Sequence, residues 1–374
     1  MSLIILPFFY LVYIAIDKKY FCYSKVFFLF YLLLAFQFFS IFTSETSVSF
    51  INDFLDIYKL LMCFFCFSYG LTVSKYVTSD MVNRVLLTVS VIIFIICFLQ
   101  LIFGPSIFYY LFSGRDVAAI NEQFTSRIIG TLGNPNYVAV YFCSMFFFCF
   151  FEYLKSKSKL YLCVCFLFFV FLLLTQSRST LVYFLILLLM FYFIVLSSFW
   201  ISRRDKATFS ISIAVFVFIS SVIVYMMIVS GRLGYIYSGF NFVLDNGLSE
   251  QSSFSGRLIM WNYYYELISN NILFGYGPSK DYFKYSVADN NYIFIVFKYG
   301  LIGLVLQLSI FISLIFYLIR KVIHGYRTVE PLALFLGALI LLSSMTSEMI
   351  DSMRITPFFF MITGLSIGMN KYGK

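Results

Sequence analysis

Charged residues are scarce in this chain of 374 residues: they make up 11% of it, whereas hydrophobic residues make up 62%. A water-soluble protein of this size carries roughly 25% charged residues. The deficit excludes an ordinary soluble domain, because so many apolar side chains must face lipid as well as each other. The sequence therefore predicts an all-α polytopic membrane protein in which residues 1–374 form a single integral membrane domain.

Histidine is almost absent, and His324 lies in a predicted cytoplasmic loop. A histidine-based metal site or catalytic triad on the outer face is thereby excluded. The sequence also lacks a Walker-type phosphate loop and a glycine-rich dinucleotide motif after a strand. We therefore expect no metal and no cofactor, and any reaction must use an activated substrate.

The formal net charge is +9, which in another protein would suggest binding to nucleic acid. The 26 basic residues are spread over many short loops and form no basic face or arm, so we expect no nucleic-acid partner. None of the eight cysteines falls in a segment predicted to lie outside the cytoplasm, so a disulfide framework is not expected either. The excess of basic residues must therefore be explained by the way the protein lies in a membrane.

Apolar runs of up to about 20 residues, separated by charged or turn residues, predict eleven transmembrane helices. They are 2–16, 26–42, 54–73, 82–104, 135–151, 160–175, 179–200, 209–229, 291–318, 332–347 and 355–370. Lysine and arginine accumulate in alternate connecting segments, which marks those segments as cytoplasmic. This alternation places the amino terminus outside and the carboxyl terminus in the cytoplasm.

One outer segment, residues 230–290, is too long for a plain connection. Part of it has the three- and four-residue spacing of an amphipathic helix that lies along the membrane interface. Its predicted apolar face contains Leu258, Trp261, Tyr265, Ile268 and Ile272. The alternative is a lid that merely covers the helix bundle.

Arginine is more frequent on the outer face than the preference for basic residues inside would predict. The outer arginines are Arg115, Arg127, Arg178, Arg232, Arg257 and Arg354. A guanidinium group binds phosphate through two parallel hydrogen bonds and keeps its charge in a partly desolvated cleft. The set therefore favours a pyrophosphate ligand, although any single member could contact lipid phosphate instead.

Two lysines lie within predicted membrane helices, where a charged side chain is costly. Lys59 follows Asp56 by three residues, which places both on one helical face and favours a local ion pair. Lys298 lies roughly 10 Å below the predicted outer end of its helix, at about 1.5 Å per residue. That depth favours a wet cavity, so Lys298 is a candidate for contact with substrate.

Three stretches carry motifs in a fixed order. Residues 127–137 contain G-x-x-G-N-P-N where a helix is predicted to begin, and residues 174–179 contain T-x-S-R at an outer helix end. The third pattern runs from 255–257 through 275–277 to 289–303 and leads from the long loop into the next helix. Together they resemble the bacterial O-antigen polymerase and O-antigen ligase superfamily (Wzy and WaaL types).

The resemblance implies glycosyl transfer on the periplasmic face of the inner membrane, with saccharides carried on undecaprenyl pyrophosphate. The protein must then orient two glycans, take a proton from an acceptor hydroxyl and stabilise the departing pyrophosphate. The predicted catalytic residues are Arg178, Arg257 and Asp289. The predicted substrate-binding residues are Arg127, Asn134, Asn136, Asn290, Lys298 and Arg354.

For residues 134–136 the alternative is structural, because Asn134 can cap the helix that Pro135 begins.

In this superfamily, ligases typically carry a histidine where this chain has Asp289 and Asn290. Its absence favours polymerisation of repeat units over ligation of a finished glycan to lipid A core. The pair of R-x10-G stretches described for some polymerases is not found, which weakens the transfer of residue roles from those proteins.

A transporter of lipid-linked saccharide is the second alternative, although the sequence has no inverted repeat and no matched pair of broken helices. The expected partners are undecaprenyl-pyrophosphate-linked oligosaccharides and membrane lipids. A chain-length-determining co-polymerase of the Wzz type is a further candidate. The expected location is the bacterial inner membrane, with a periplasmic amino terminus.

Overall fold

The computed structural model describes most of the chain. The described residues are 25–43, 50–104, 127–199, 201–231, 237, 252–278, 283–285, 288–325 and 329–372. Their regular structure is helical, apart from turns, and includes one short 3-10 helix, Gly130–Leu132. The α-helices are α1 Lys25–Thr43, α2 Phe50–Val73, α3 Ser79–Phe103, α4 Pro135–Ser156, α5 Lys159–Leu174, α6 Arg178–Ser197, α7 Arg203–Val229, α8 Ser252–Asn270, α9 Asn291–His324, α10 Glu330–Ser343 and α11 Thr356–Tyr372.

The predicted spans agree with these helices wherever the two can be compared. The first, 2–16, lies outside the described residues, and each of the other ten coincides with an α-helix. Among the described residues, α2, α3, α4, α6, α7 and α9 are long and apolar enough to cross a membrane. Helices α1, α5 and α10 are apolar but shorter. The all-helical membrane fold is therefore supported, while the number of eleven spans stays a prediction.

Several helices extend past the ends that hydropathy predicts, and α7 and α9 do so by the most residues. Helix α7 begins at Arg203, because the Ser202 hydroxyl caps it by accepting a hydrogen bond from the Asp205 N–H at 3.1 Å. Helix α9 continues to His324, which is thus a helical residue and not a loop residue. Hydropathy detects only the apolar segment of a helix, so it misses polar helical turns at the ends.

The chain divides into two compact units. The first unit comprises residues 1–76, 252–317 and 340–373, and the second comprises 77–251, 318–339 and Lys374. Two of the boundaries between the units fall inside helices, one in α9 and one in α10. Each unit has its own packed interior.

In the first unit, α2 and α11 pack with their backbones in contact. A side chain at Gly70 would overlap the backbone of Met361, and one at Gly364 would overlap the backbone of Phe67. Gly364 and Gly368 are four residues apart and therefore lie on one face of α11. Small residues at this spacing let membrane helices approach closely, where the hydrophobic effect between helices is weak.

In the second unit, α4 is apolar on all sides and is almost completely enclosed. In its most apolar stretch 89% of the residues are buried, whereas the corresponding stretch of α7 has 0% buried. Phenylalanine rings form this core: Phe147 stacks on Phe335 with ring centroids 4.1 Å apart, and Phe151 meets Phe191 edge to face at 4.8 Å. A helix that is hydrophobic all round is buried, as expected.

Helix α9 is interrupted at Gly300, where φ is 63° and ψ is −174°. The interruption frees backbone groups that a continuous helix would pair, and residues 271–277 pair with them instead. N–H groups of that segment donate to the carbonyls of Phe297 and Lys298 at 2.9 and 2.8 Å, and Leu301 donates its N–H to the segment at 2.9 Å. The segment after α8 is thus joined to the broken helix by main-chain hydrogen bonds.

We predict that Gly300→Ala lowers the free energy of unfolding by about 2–4 kcal/mol, because a Cβ at this positive φ would overlap the carbonyl of Leu273. The measurement is thermal unfolding of the purified protein, followed by tryptophan fluorescence. Gly256→Ala is the matched control, since a Cβ there meets nothing within 4 Å and alanine favours the helical conformation. Equal melting temperatures for the two variants would contradict the strain argument.

Candidate functional site

The first sequence motif forms a tight turn that leads into α4. Gly133 adopts the left-handed conformation with φ 65°, and Asn134 follows as the helix cap. The Asn134 side-chain oxygen accepts a hydrogen bond from the Asn136 N–H at 2.9 Å, and Pro135 occupies the first helical turn. The capping role expected from the sequence is therefore confirmed.

The first and second motifs contact each other within the second unit. The Arg127 guanidinium donates from Nε to the carbonyl of Thr175 at 3.1 Å. The Ser177 hydroxyl donates to the Asn136 side-chain oxygen at 2.8 Å and lies 2.8 Å from the Thr180 hydroxyl. We call Arg127, Asn136, Ser177 and Arg178 the Arg178 set.

Gln100 supports this set and was not predicted from the sequence. Its side chain is buried, donates to the carbonyl of Arg127 at 2.9 Å and accepts from the N–H groups of Ile129 and Gly130, both at 3.0 Å. A glutamine within an apolar run gives no hint of a partner 27 residues away. The buried amide fixes the turn that carries Arg127.

Arg178 is the first residue of α6 and is half-buried. A positive side chain at a helix amino terminus opposes the helix dipole, so helix stability does not account for an arginine there. The same end of a helix attracts anions through its unpaired N–H groups. The Ser177 hydroxyl is engaged with Asn136 and Thr180 and does not cap α6. This helix end therefore combines two features that favour a phosphate ligand.

The third motif lies in the first unit and brings Arg257 to Asp289. Arg257 Nε lies 3.4 Å from Asp289 Oδ2, and the two side chains are 28% and 44% exposed. Asp289 has φ 50°, an uncommon conformation for a residue other than glycine. The preceding carbonyl, of Ala288, accepts from the Trp261 indole N–H at 2.8 Å. The loop thus holds a solvent-accessible carboxylate beside a guanidinium group.

An aromatic cluster packs the long loop against α8 and α9. Tyr264 is fully buried and donates its hydroxyl to the carbonyl of Tyr285 at 2.6 Å. Its burial raises the pKa of the Tyr264 hydroxyl, which therefore stays a neutral donor. The predicted helix in residues 230–290 is present as α8, but its packed face is centred on Tyr264. Tyr265 and Ile272, predicted on that face, are 57% and 48% exposed.

This difference follows from what covers α8. The sequence pattern predicts one apolar stripe of the helix along the flat membrane interface. In the structure, α8 packs on Phe294 and Phe297 of α9 and on the returning loop. Trp261 and Ile268, also predicted on the apolar face, do pack in this cluster. Trp261 and Ile268 thus pack within the protein, whereas Tyr265 and Ile272 are exposed, and the prediction that this helix lies along the membrane interface stays a prediction.

Asn290 and Asn291 connect Asp289 to the buried interior of the first unit. The Asn290 side-chain oxygen caps α9 by accepting from the N–H of Tyr292 at 3.0 Å. Asn291 is fully buried and makes two bonds with Asp351: its amide donates to the carboxylate, and the Asp351 N–H donates back, both at 3.2 Å. Sequence reasoning did not identify the role of Asn291, because its partner is 60 residues away.

Lys298 is 1% exposed and forms a buried ion pair. Its ammonium lies 2.5 Å from Asp56 and 3.6 Å from Asp351. Asp56 also accepts from Lys59 at 2.8 Å, which confirms the predicted local ion pair. Two carboxylates account for the charge of Lys298 without a substrate, whereas the sequence suggested that Lys298 faces a wet cavity. We call Asp56, Lys59, Lys298 and Asp351 the ion-pair network.

The remaining predicted residues divide between the units. Arg127, Asn134, Asn136 and Arg178 belong to the second unit, and Arg257, Asp289, Asn290, Lys298 and Arg354 belong to the first. Arg354 is exposed, and its N–H donates to the Ser352 hydroxyl at 3.4 Å. The outer arginines Arg115 and Arg232 lie outside the described residues. Over the described part of the chain, no group of three or more His, Cys, Asp or Glu residues has the arrangement of a metal site.

Comparison with known proteins places this geometry in context. A family model described as O-antigen ligase matches residues 163–308, which include Arg178, Arg257, Asp289 and the break at Gly300. No curated protein and no solved structure is significantly similar to the chain. The family model does not distinguish polymerase from ligase. Over these residues the chain is similar to the O-antigen ligase family, and its apolar helices support an integral membrane protein.

Proposed function

We propose that this protein polymerises undecaprenyl-pyrophosphate-linked oligosaccharide repeat units into O-antigen or a related surface polysaccharide. The observation that carries the proposal is the placement of Arg178 at the amino terminus of α6 and of Arg257 beside Asp289, all within residues 163–308. Both sites combine a guanidinium group with the features that a phosphate-linked donor and an acceptor hydroxyl require.

The reaction needs one bond formed and one broken. The acceptor hydroxyl attacks the anomeric carbon of the donor, and the bond from that carbon to the pyrophosphate oxygen breaks with its electron pair on pyrophosphate. Arg257 in the first unit and Arg178 in the second are each proposed to stabilise negative charge on a pyrophosphate leaving group. Asp289, which is 44% exposed, takes the proton of the hydroxyl or orients that hydroxyl.

The other predicted residues have supporting roles in this proposal. Arg127 and Arg354 add positive charge for the lipid-linked substrate. Asn134, Asn136 and Asn290 present amide groups for saccharide hydroxyls, although the Asn134 and Asn290 side chains also cap α4 and α9. Lys298 is retained among the substrate-binding residues only as a hypothesis, because its described contacts are with carboxylates.

Ligation of a finished glycan to lipid A core is the second candidate, and the description of the matching family model favours it. Against it, the chain has one histidine, and His324 closes α9 far along the sequence from Asp289. We therefore retain polymerase as the main proposal. The expected setting is the inner membrane with the amino terminus in the periplasm, and a chain-length-determining co-polymerase is a proposed partner.

We predict that Arg178→Ala and Arg257→Ala each reduce polymer synthesis by about 10²–10³-fold while the protein remains inserted and abundant. Lysine at either position should restore activity only in part, because an ammonium cannot bind phosphate through two parallel hydrogen bonds. The measurement is polymer length in complemented deletion strains, with protein amount determined by immunoblot. Arg84→Ala and His324→Ala are the controls and should leave synthesis unchanged. Normal synthesis by both arginine variants would disprove the site assignment.

For Lys298 we predict a structural effect. Lys298→Met should lower the free energy of unfolding by about 3–5 kcal/mol, because Asp56 and Asp351 then keep buried charge without their main partner. Lys157→Met is the matched control, since Lys157 and its partner Asp205 are 54% and 42% exposed and their ion pair should contribute less than about 1 kcal/mol. Thermal unfolding of both purified variants checks this. A stable but inactive Lys298→Met protein would instead indicate contact with substrate.

The surface-glycan profile of a strain that lacks the gene separates polymerase from ligase. We expect the ladder of chain lengths to collapse to core bearing one repeat unit, because units are still made and attached but not joined. The parent and a complemented strain run beside it on the same gel. Long chains accumulating on undecaprenyl pyrophosphate, with no glycan on the core, would identify a ligase, and an unchanged ladder would exclude both functions.

A further inference from the structure

The first unit contains a small cavity between α1, α2, α9, α11 and the segment before α11. Its lining includes the aromatic residues Phe30, Phe311 and Phe360. Its polar lining, which we call the polar wall, includes Gln37, Asp56, Lys59, Gln307, Asp351 and Ser352. Its lining thus includes three members of the ion-pair network but none of the residues proposed above for catalysis.

Gln37 is the feature that points to a ligand. It is 5% exposed, and among the described residues its side-chain oxygen has no hydrogen-bond partner. Buried polar groups in folded proteins nearly always have a partner, because an unpaired one forfeits its hydration without compensation. A group inside the cavity that donates a hydrogen bond would supply what Gln37 lacks.

The charges and donors of the lining restrict the chemistry of that group. Asp56 and Asp351 are balanced by Lys59, which lines the cavity, and by Lys298, which lies behind it. An added anion or cation would disturb this balance in a desolvated place. The Gln37 oxygen needs a donor, whereas the Lys59 ammonium can only donate. A hydroxyl group meets both requirements, because it donates and accepts at the same oxygen.

The size of the cavity limits how much of a ligand enters. Its volume is about 40 Å³. At roughly 10–15 Å³ for each water-sized group, it holds about three such groups. This is enough for one hydroxyl-bearing edge of a sugar ring, such as a hydroxymethyl group with a neighbouring hydroxyl. The aromatic rings in the lining suit the C–H groups of the same edge.

We propose that this cavity binds the hydroxyl-bearing edge of a neutral sugar residue and thereby contributes to saccharide selection. The inference rests on the proposed function, because a saccharide substrate supplies the sugar. It goes beyond that function in assigning recognition to Gln37, Lys59 and Gln307, which lie outside the Arg178 set and the Arg257–Asp289 pair. The ion-pair network then has a second use: it holds Asp56 and Asp351 in place at the polar wall.

Saturation-transfer NMR on the full chain in phosphatidylcholine nanodiscs tests the proposal, since the method detects weak binding and no sugar-bearing detergent is present. The probes are free glucose, galactose, mannose and N-acetylglucosamine, with glycerol as a separate arm and empty nanodiscs as the blank. We expect saturation of at least one sugar by the wild-type protein. Gln37→Leu should weaken that binding about fivefold, the effect of one lost hydrogen bond.

Gln307→Leu is a second variant at the same polar wall and should also weaken sugar binding, which keeps the test valid if Gln37→Leu does not fold. Phe42→Leu is the matched control on α1, because Phe42 is 77% exposed and should leave binding unchanged. No saturation of any sugar, or equal saturation with both leucine variants, would show that the cavity holds water only. Equal saturation of glycerol would indicate a lipid headgroup and overturn the sugar assignment.

The outcome can be separated from that of the proposed function. Sugar binding is measured without glycosyl transfer, so it does not depend on Arg178 or Arg257. If the gene-deletion ladder collapses but no sugar binds, the cavity assignment fails and the polymerase proposal stands. If sugar binds and the ladder is unchanged, the polymerase proposal fails and the cavity remains a sugar site of another process.

Discussion

The break in α9 at Gly300 is the constraint on which the first unit depends. Backbone groups freed by a broken helix cannot be left unpaired in lipid, so another part of the chain must reach them. Residues 271–277 do so, which fixes the segment after α8 against α9. That attachment in turn sets the start of the returning loop, whose aromatic cluster carries Ala288 and Asp289 to Arg257. The position of the proposed base is therefore linked to a helix break that lies 11 residues further along the chain.

The buried ion pair is the second constraint, and it follows from the first. Lys298 precedes the break by two residues, so the conformation at Gly300 and the placement of its charge are linked. Its partners Asp56 and Asp351 come from α2 and from the segment before α11. Asn291 joins Asp351 to the start of α9. Burying these charges is costly unless they are paired. Pairing them instead draws three distant segments of the chain to one place.

Local features of this fold were predictable from the sequence, and contacts between distant residues were not. Periodic apolar runs located ten helices, and the Asn134–Pro135 cap and the Asp56–Lys59 pair follow from spacing alone. The partners of Gln100, Asn291 and Lys298 lie between 27 and 242 residues away, where no spacing rule applies. The packed face of α8 is centred on Tyr264 for the same reason, because the returning loop decides which side is covered.

The way in which the polar groups are paired also bears on whether the protein transports its substrate or catalyses a reaction on it. In transporters with broken helices, the freed backbone groups at the break line a cavity and bind the cargo or its coupling ion. At Gly300 the described freed groups are taken up by residues 271–277, and the charge of Lys298 is taken up by two carboxylates. Among the described residues, Asp289 is accessible beside Arg257 of α8, and Arg178 begins α6. Accessible charge at loops and helix ends suits chemistry on a phosphate-linked saccharide better than passage through the membrane interior.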